Sequence, residues 1–263
     1  MRLDVFTLFP EAFDWFASQR HVRNARAAGC ELRLIDYREF TPLKGGRVDD
    51  SPYGGGPGMV LRVDVVDAAL EGVYGAEDRP RMAALTPAGR PFDEPLAREL
   101  AAELTTAGSA SAPPGPAPSE PARPAPPNPA RPAPPPPGLA LLCGRYEGFD
   151  QRVHEHLVDD EISIGPYVLA GGELAAMVVA DAVIRKLPGA LGDQESATEE
   201  SFSEALGGAP EYPHFTRPES YRGWEVPEIL RSGDHGQIEA WRREQSRLRG
   251  SAASESSPPA PKR

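Results

Sequence analysis

The chain has 263 residues, 40% hydrophobic and 25% charged, with a net charge of −11. Such a composition suits a globular chain that buries one large domain, or a medium domain plus a small one. No apolar run reaches the ~18 residues of a membrane span, and Asp4 interrupts the first apolar stretch. Neither a membrane anchor nor a signal peptide is therefore expected, and a cytoplasmic setting is. The acidic balance weighs against a surface that binds nucleic acid all over and leaves local basic patches as the means.

In chain order, residues 2–8 read as a strand, and Pro10 suits the first turn of a helix. Residues 31–35, 82–85 and 139–143 read as further strands, rich in Leu, Ile and Ala. Between them, residues 63–74 and 94–104 have helical periodicity, so the expectation is an α/β domain with a mostly parallel sheet. Residues 113–137 hold 14 of the 31 prolines and few apolar side chains. They predict a disordered, partly polyproline-II insertion over 105–138. A long apolar helix is expected over 174–187, stopped by Pro188-Gly189. Acidic, Ser-rich residues 191–210 predict a linker. Residues 211–250 predict a small helical domain with its clearest helix at 235–249, and residues 251–263 a disordered tail. Cys30 and Cys143 have no close-spaced partners and read as buried small hydrophobes.

Three segments concentrate unusual chemistry. The first, Val48-Asp49-Asp50-Ser51-Pro52-Tyr53-Gly54-Gly55-Gly56-Pro57-Gly58-Met59, demands a loop with special backbone angles, and no Gly-Lys-Ser/Thr follows to make a P-loop. The second runs an apolar strand into Gly144-Arg145-Tyr146-Glu147-Gly148. Charged and aromatic groups at a strand's C-terminal end suit a ligand site in an open α/β sheet. The third, from Ile162 to Glu173, sets two glycine-marked turns around a short apolar stretch, whose amides can bind polar edges of a ligand. Asp181 and Arg185 share a helix face, either as an internal ion pair or with Arg185 in use. Arg242, Arg243, Arg247 and Arg249 offer a basic patch or a solvated helix face.

The three segments, in this order, resemble the bacterial tRNA (guanine-N1)-methyltransferase family, TrmD, of the SPOUT class. Leu8-Phe9-Pro10, Ala197-Thr198 before Ser201-Phe202, Phe215-Thr216-Arg217-Pro218 and Ser232-Gly233-Asp234-His235 extend the resemblance over residues 1–104 and 139–249. It implies a SPOUT-type parallel sheet with a C-terminal trefoil knot over residues 1–190, and a homodimer with each site at the interface. It further implies S-adenosyl-L-methionine as methyl donor, a magnesium requirement without a known site, and the tRNA anticodon stem-loop as substrate. The implied donor-binding positions are Leu85, Thr86, Pro87, Gly144, Tyr146, Glu147, Ile164, Gly165, Pro166, Tyr167, Val168, Leu169, Gly171 and Gly172. The implied catalytic pair is Arg185, the cation, with Glu200 as the base.

The sequence departs from the family pattern in places. Glu200 stands where the family has Asp, and Pro166 where it usually has Asp. Gly45 and Gly46 replace an expected His and basic residue, and the basic extension after Arg249 is absent. These departures leave open two alternatives: a non-catalytic relative that binds cofactor or RNA, and a methyltransferase for another RNA.

Overall fold

The computed structural model describes residues 1–75, 79–106, 138–192 and 200–256. Most of the proline-rich insertion, the Ala197-Thr198 motif and residues 257–263 lie outside the described residues. The chain divides into two compact units, Met1–Leu191 and Gly192–Arg263.

The first unit is built on β1 (Arg2–Thr7), β2 (Glu31–Asp36), β5 (Arg81–Pro91), β6 (Gly138–Cys143) and β7 (Asp160–Ser163). They form one sheet in the order β2-β1-β6-β5-β7, and every pairing is parallel. Period-two alternation sorts the strand side chains onto two buried faces. Leu3, Val5, Leu139, Leu141 and Cys143 pack on one side, with α2 (Arg20–Ala27), α4 (Glu94–Thr106) and α6 (Glu173–Ile184). Phe6, Ala140 and Leu142 pack on the other, with α3 (Val63–Tyr74) and α5 (Gln151–His156). The expected parallel α/β layering is therefore present. Cys30 and Cys143 are buried free thiols, as their surroundings in the sequence predict.

The α3 helix has the predicted bounds. Val65, Val66, Ala69, Leu70 and Tyr74 make its buried stripe, and Gly75 at φ +69° ends it. Two expectations for the first unit needed revision. The helix predicted over 174–187 starts at Glu173 and ends at Ile184; residues 185–187 form a tighter turn in which Leu187 N–H donates to Ile184 C=O at 2.9 Å. The strand predicted at 82–85 runs on to Pro91 because it pairs with β7 twice. Ile162 partners both Leu85 and Arg90. A strand residue has two hydrogen-bonding edges, so these partners occupy opposite edges of Ile162. Residues 86–89 carry the chain across, close enough that a Cβ on Gly89 would lie 2.5 Å from the Ile162 nitrogen.

Beyond Gly192, the second unit is described from Glu200. Residues 200–209, expected as part of a linker, make hydrogen-bonded turns: Phe202 N–H donates to Ala209 C=O and Gly208 N–H to Ser203 C=O, both at 2.9 Å. A hairpin of β8 (Ser220–Tyr221) and β9 (Trp224–Glu225) follows. Its two turn residues, Arg222 and Gly223, both have positive φ, which matches the twist of a two-residue hairpin. The α7 helix (His235–Ser256) is capped by Asp234, whose carboxylate accepts Gln237 N–H at 3.1 Å. It passes the predicted end at 249 because Ala252 and Ala253 favour helix, while the Ser251 hydroxyl is absorbed by Arg247 C=O. Residues 251–256 are thus helix where a tail was expected. No helix among the described residues is long and apolar enough to cross a membrane.

Candidate functional site

A cleft of about 450 Å³ opens where residues 85–87 of β5 meet the C-terminal ends of β6 and β7. This is where an open parallel sheet places its ligand. Leu85, Thr86 and Pro87 line one side and Gly144, Tyr146 and Glu147 another. Ile164, Gly165, Tyr167, Val168, Leu169, Gly171 and Gly172 close the rest. Of the expected donor-binding positions, only Pro166 is outside the lining.

Pro166 has a local explanation. Tyr167 N–H donates to Gly165 C=O at 2.9 Å, spanning the proline in a three-residue turn. Such a turn wants a central φ near about −75°, which the pyrrolidine ring supplies, and it uses no amide from that residue. The loop is braced further by the Ser163 hydroxyl, which donates to Gly165 C=O at 3.1 Å, and by the Tyr167 hydroxyl, which donates to Ile164 C=O.

The glycine loop of the first motif is tied to the same place. Glu147 N–H donates to Met59 C=O at 3.0 Å, and Leu61 N–H to Gly148 C=O at 2.9 Å. Short strands β3 (Asp49–Asp50) and β4 (Val60–Leu61) clamp the loop's two ends, a pairing too brief to leave a period in the sequence. The loop also borders a wider cleft of about 970 Å³, lined in part by Asp50, Tyr53, Arg62, Asp64 and Arg152, which shares Phe149 and Gln151 with the first. Arg62 holds both carboxylates there, Asp64 at 2.7 Å and Asp50 at 3.0 Å. The Ser51 amide and then Arg62 hold the Asp50 carboxyl below its usual range.

Four polar residues of the first cleft stand outside the expected donor-binding positions: Arg145 and Ser163 lie within the second and third motifs, whereas Gln151 and His154 lie outside all three. Gln151 and His154 lie three apart on α5, a helix of six residues with too few turns to show a period. His154 Nδ1 lies 3.3 Å from Glu161 Oε2, and its ring meets Phe149 edge-on. Cys143 at the end of β6 is fully buried, and burial pushes its thiol well up. Among the described residues no group of three or more His, Cys, Asp or Glu is placed to hold a metal ion.

Arg185 follows the last turn of α6, its N–H donating to Asp181 C=O at 3.1 Å. The Asp181 carboxylate lies 2.7 Å from His21 Nε2. Because α6 begins at the cleft with Glu173, Arg185 stands one helix length away, about 18 Å along the axis at 1.5 Å per residue. Glu200 belongs to the second unit, where its C=O accepts Ser203 N–H at 3.0 Å.

A parallel α/β sheet with a glycine-lined cleft at its strand ends defines a ligand-binding α/β protein of the open-sheet class. Within that class, residues 1–106 and 136–255 match the family described as tRNA (Guanine-1)-methyltransferase TrmD, and the chain belongs to it. It is 45% identical over 253 residues to the tRNA (guanine-N(1)-)-methyltransferase of Brevibacillus brevis, covering 96% of this chain and 89% of that one. Likeness to the enzyme of the same name from Pelotomaculum thermopropionicum is 44% over 253 residues, 95% of this chain and 86% of the relative. The Exiguobacterium sibiricum enzyme is 42% identical over 246 residues, 94% and 86% of the two chains.

Proposed function

We propose that this chain transfers the methyl group of S-adenosylmethionine to N1 of the guanosine 3′ to the anticodon of tRNA. The observation that carries this is the gathering, at one cleft, of residues far apart in sequence that the family resemblance names. The cleft fits such a donor. Leu85, Ile162, Ile164 and Ala175 offer apolar walls for a purine face, and the turns at 144–148 and 164–172 offer backbone donors and acceptors.

When bound, S-adenosylmethionine supplies an electrophilic methyl group. Guanine N1 carries a proton and is a weak nucleophile until that proton leaves. Glu200 takes it, and Arg185 stabilises the negative charge that spreads towards O6. Glu200 keeps the carboxylate of the family's Asp on a side chain one methylene longer.

A homodimer belongs to this reading. Leu174 and Val178 are exposed on α6, and the exposed Trp15 lies on α1 (Asp14–Ala17), a second element of the same unit. A second copy of α6 running antiparallel on that face would bring its own Arg185 towards the cleft, which the length of α6 keeps from the Arg185 of the same chain. The double pairing of β5 with β7 supports a trefoil knot. In the second unit, the exposed rings of Phe215, Tyr221 and Trp224 suit stacking on unpaired bases, and support an RNA-reading role. Cytoplasmic residence goes with a tRNA substrate.

The test is transfer of labelled methyl to tRNA transcripts with guanosine or adenosine 3′ to the anticodon. Incorporation is expected into the guanosine transcript alone. Arg185→Ala should lower kcat by about 100- to 1,000-fold, and Glu200→Gln by roughly 100- to 10,000-fold. Equal labelling of both transcripts, or none with folded protein, sinks the proposal; labelling of ribosomal RNA fragments instead would move the substrate to another RNA.

A further inference from the structure

Four residues near the cleft close a ring of interactions. Glu173, at the first position of α6, is buried, with 5% of its side chain exposed. Its carboxylate accepts the Thr7 hydroxyl at 2.8 Å and Arg145 Nε at 3.1 Å. The Arg145 guanidinium lies over the ring of Phe9, 4.3 Å from its centroid. Phe9 N–H in turn donates to the Thr7 hydroxyl oxygen at 3.0 Å. The ring thus joins the end of β1, the turn after β6 and the start of α6.

The cofactor loop rests on this ring. Gly171 pairs with Arg145 as an isolated antiparallel bridge. A Cβ on Gly171 would lie 2.3 Å from Arg145 Nε and 2.5 Å from Glu173 Oε2. The backbone of the loop is therefore pressed directly onto the ion pair. Burying a charged pair gains little stability over apolar residues of the same size, so a pair whose carboxylate is buried here is explained better by what it positions. Arg suits the task and Lys does not: one flat group must donate from Nε while its face stacks on an aromatic ring.

Resting on the donor site proposed above, we infer that Arg145 and Glu173 are positioning residues that fix the separation of the 144–148 turn and the 170–172 loop, and so set affinity for the methyl donor. Thr7 and Phe9 orient the pair. None of the four is required to touch the reacting atoms.

The test uses the full-length protein and measures binding of S-adenosylmethionine by calorimetry, with kcat and KM for donor and tRNA. Arg145→Gln should raise the donor Kd by about 10- to 100-fold, the range for losing a charged hydrogen bond. The donor KM should rise in step, while kcat at saturating donor and KM for tRNA stay within a few-fold. Arg145→Lys should recover little, because it restores charge without the fork. Thr7→Val should weaken donor binding and Thr7→Ser restore it, which keeps the inference testable if Arg145→Gln does not fold. Donor affinity unchanged in folded Arg145→Gln or Thr7→Val overturns the inference alone. A wild-type protein that binds no S-adenosylmethionine overturns the donor site, and this inference with it.

Discussion

At Gly55, in the loop between β3 and β4, φ is +80° and a Cβ would meet nothing within 4 Å. At Gly172, on the cleft, φ is −78° and a Cβ would lie 2.8 Å from the Cα of Cys143. One glycine is there for its backbone angle and has open space around it. The other has an ordinary angle and no space. Both sit in runs that look alike in sequence, so glycine density announces a special loop without saying which constraint made it. The difference matters for the site. Crowded glycine marks where two backbones touch and the cleft wall is fixed, whereas angular glycine marks a loop free to be contacted from outside.

Substitution by alanine separates the two kinds. The largest effect is expected at Gly172→Ala, where the new methyl meets backbone rather than a movable side chain. Overpacking of this kind costs about 1–3 kcal/mol, and donor binding should weaken with it; an unchanged Tm and donor Kd would show that the contact relaxes freely. Gly58→Ala is intermediate. Its φ of +87° brings strain, but the group that a Cβ would strike is the Glu147 side chain, which can swing away. A loss of about 1–2 kcal/mol is expected, readable by chemical denaturation. Gly55→Ala should be smallest, because about 0.4–1 kcal/mol of lost unfolded-state freedom offsets part of its angular strain. A Gly55→Ala loss exceeding that of Gly172→Ala would invert the comparison and assign the tight contact to the wrong loop.

The same contrast governs what the sequence made legible. Strands β1, β2 and β6 and helix α3 could be read directly, the strands from short runs of Leu, Ile and other apolar residues and the helix from a period of 3.6 long enough to repeat. The α5 helix and the β3–β4 pair are too short to repeat, and Gln151 and His154 went unseen with them. Arg145 stood inside a motif already marked as chemical, yet its partner Glu173 is 28 residues away, and nothing local links them. The gathering of Leu85, Gly144 and Gly171 follows from sheet order, which pattern alone does not give. Arg185 and Glu200 were named through resemblance: an Arg closing an apolar helix and a Glu in an acidic stretch are unremarkable by themselves. Pro166 departs from the family pattern, and only the turn around it, with Tyr167 N–H donating to Gly165 C=O, shows that proline suits the backbone there.

The two-sided pairing of Ile162 bears on how the molecule comes together. Leu85 and Arg90 both pair with a strand that leaves the ribosome long after them, so neither pairing can close until β7 inserts beside them. Contacts between residues so distant in sequence form slowly. The cleft is completed only at that step, since Ser163 and the loop after it follow β7 into position. A chain halted before this insertion would hold β1, β2 and β6 and their helices in order while lacking the pocket. Newly made protein should therefore gain secondary structure well before it gains the capacity to hold a ligand.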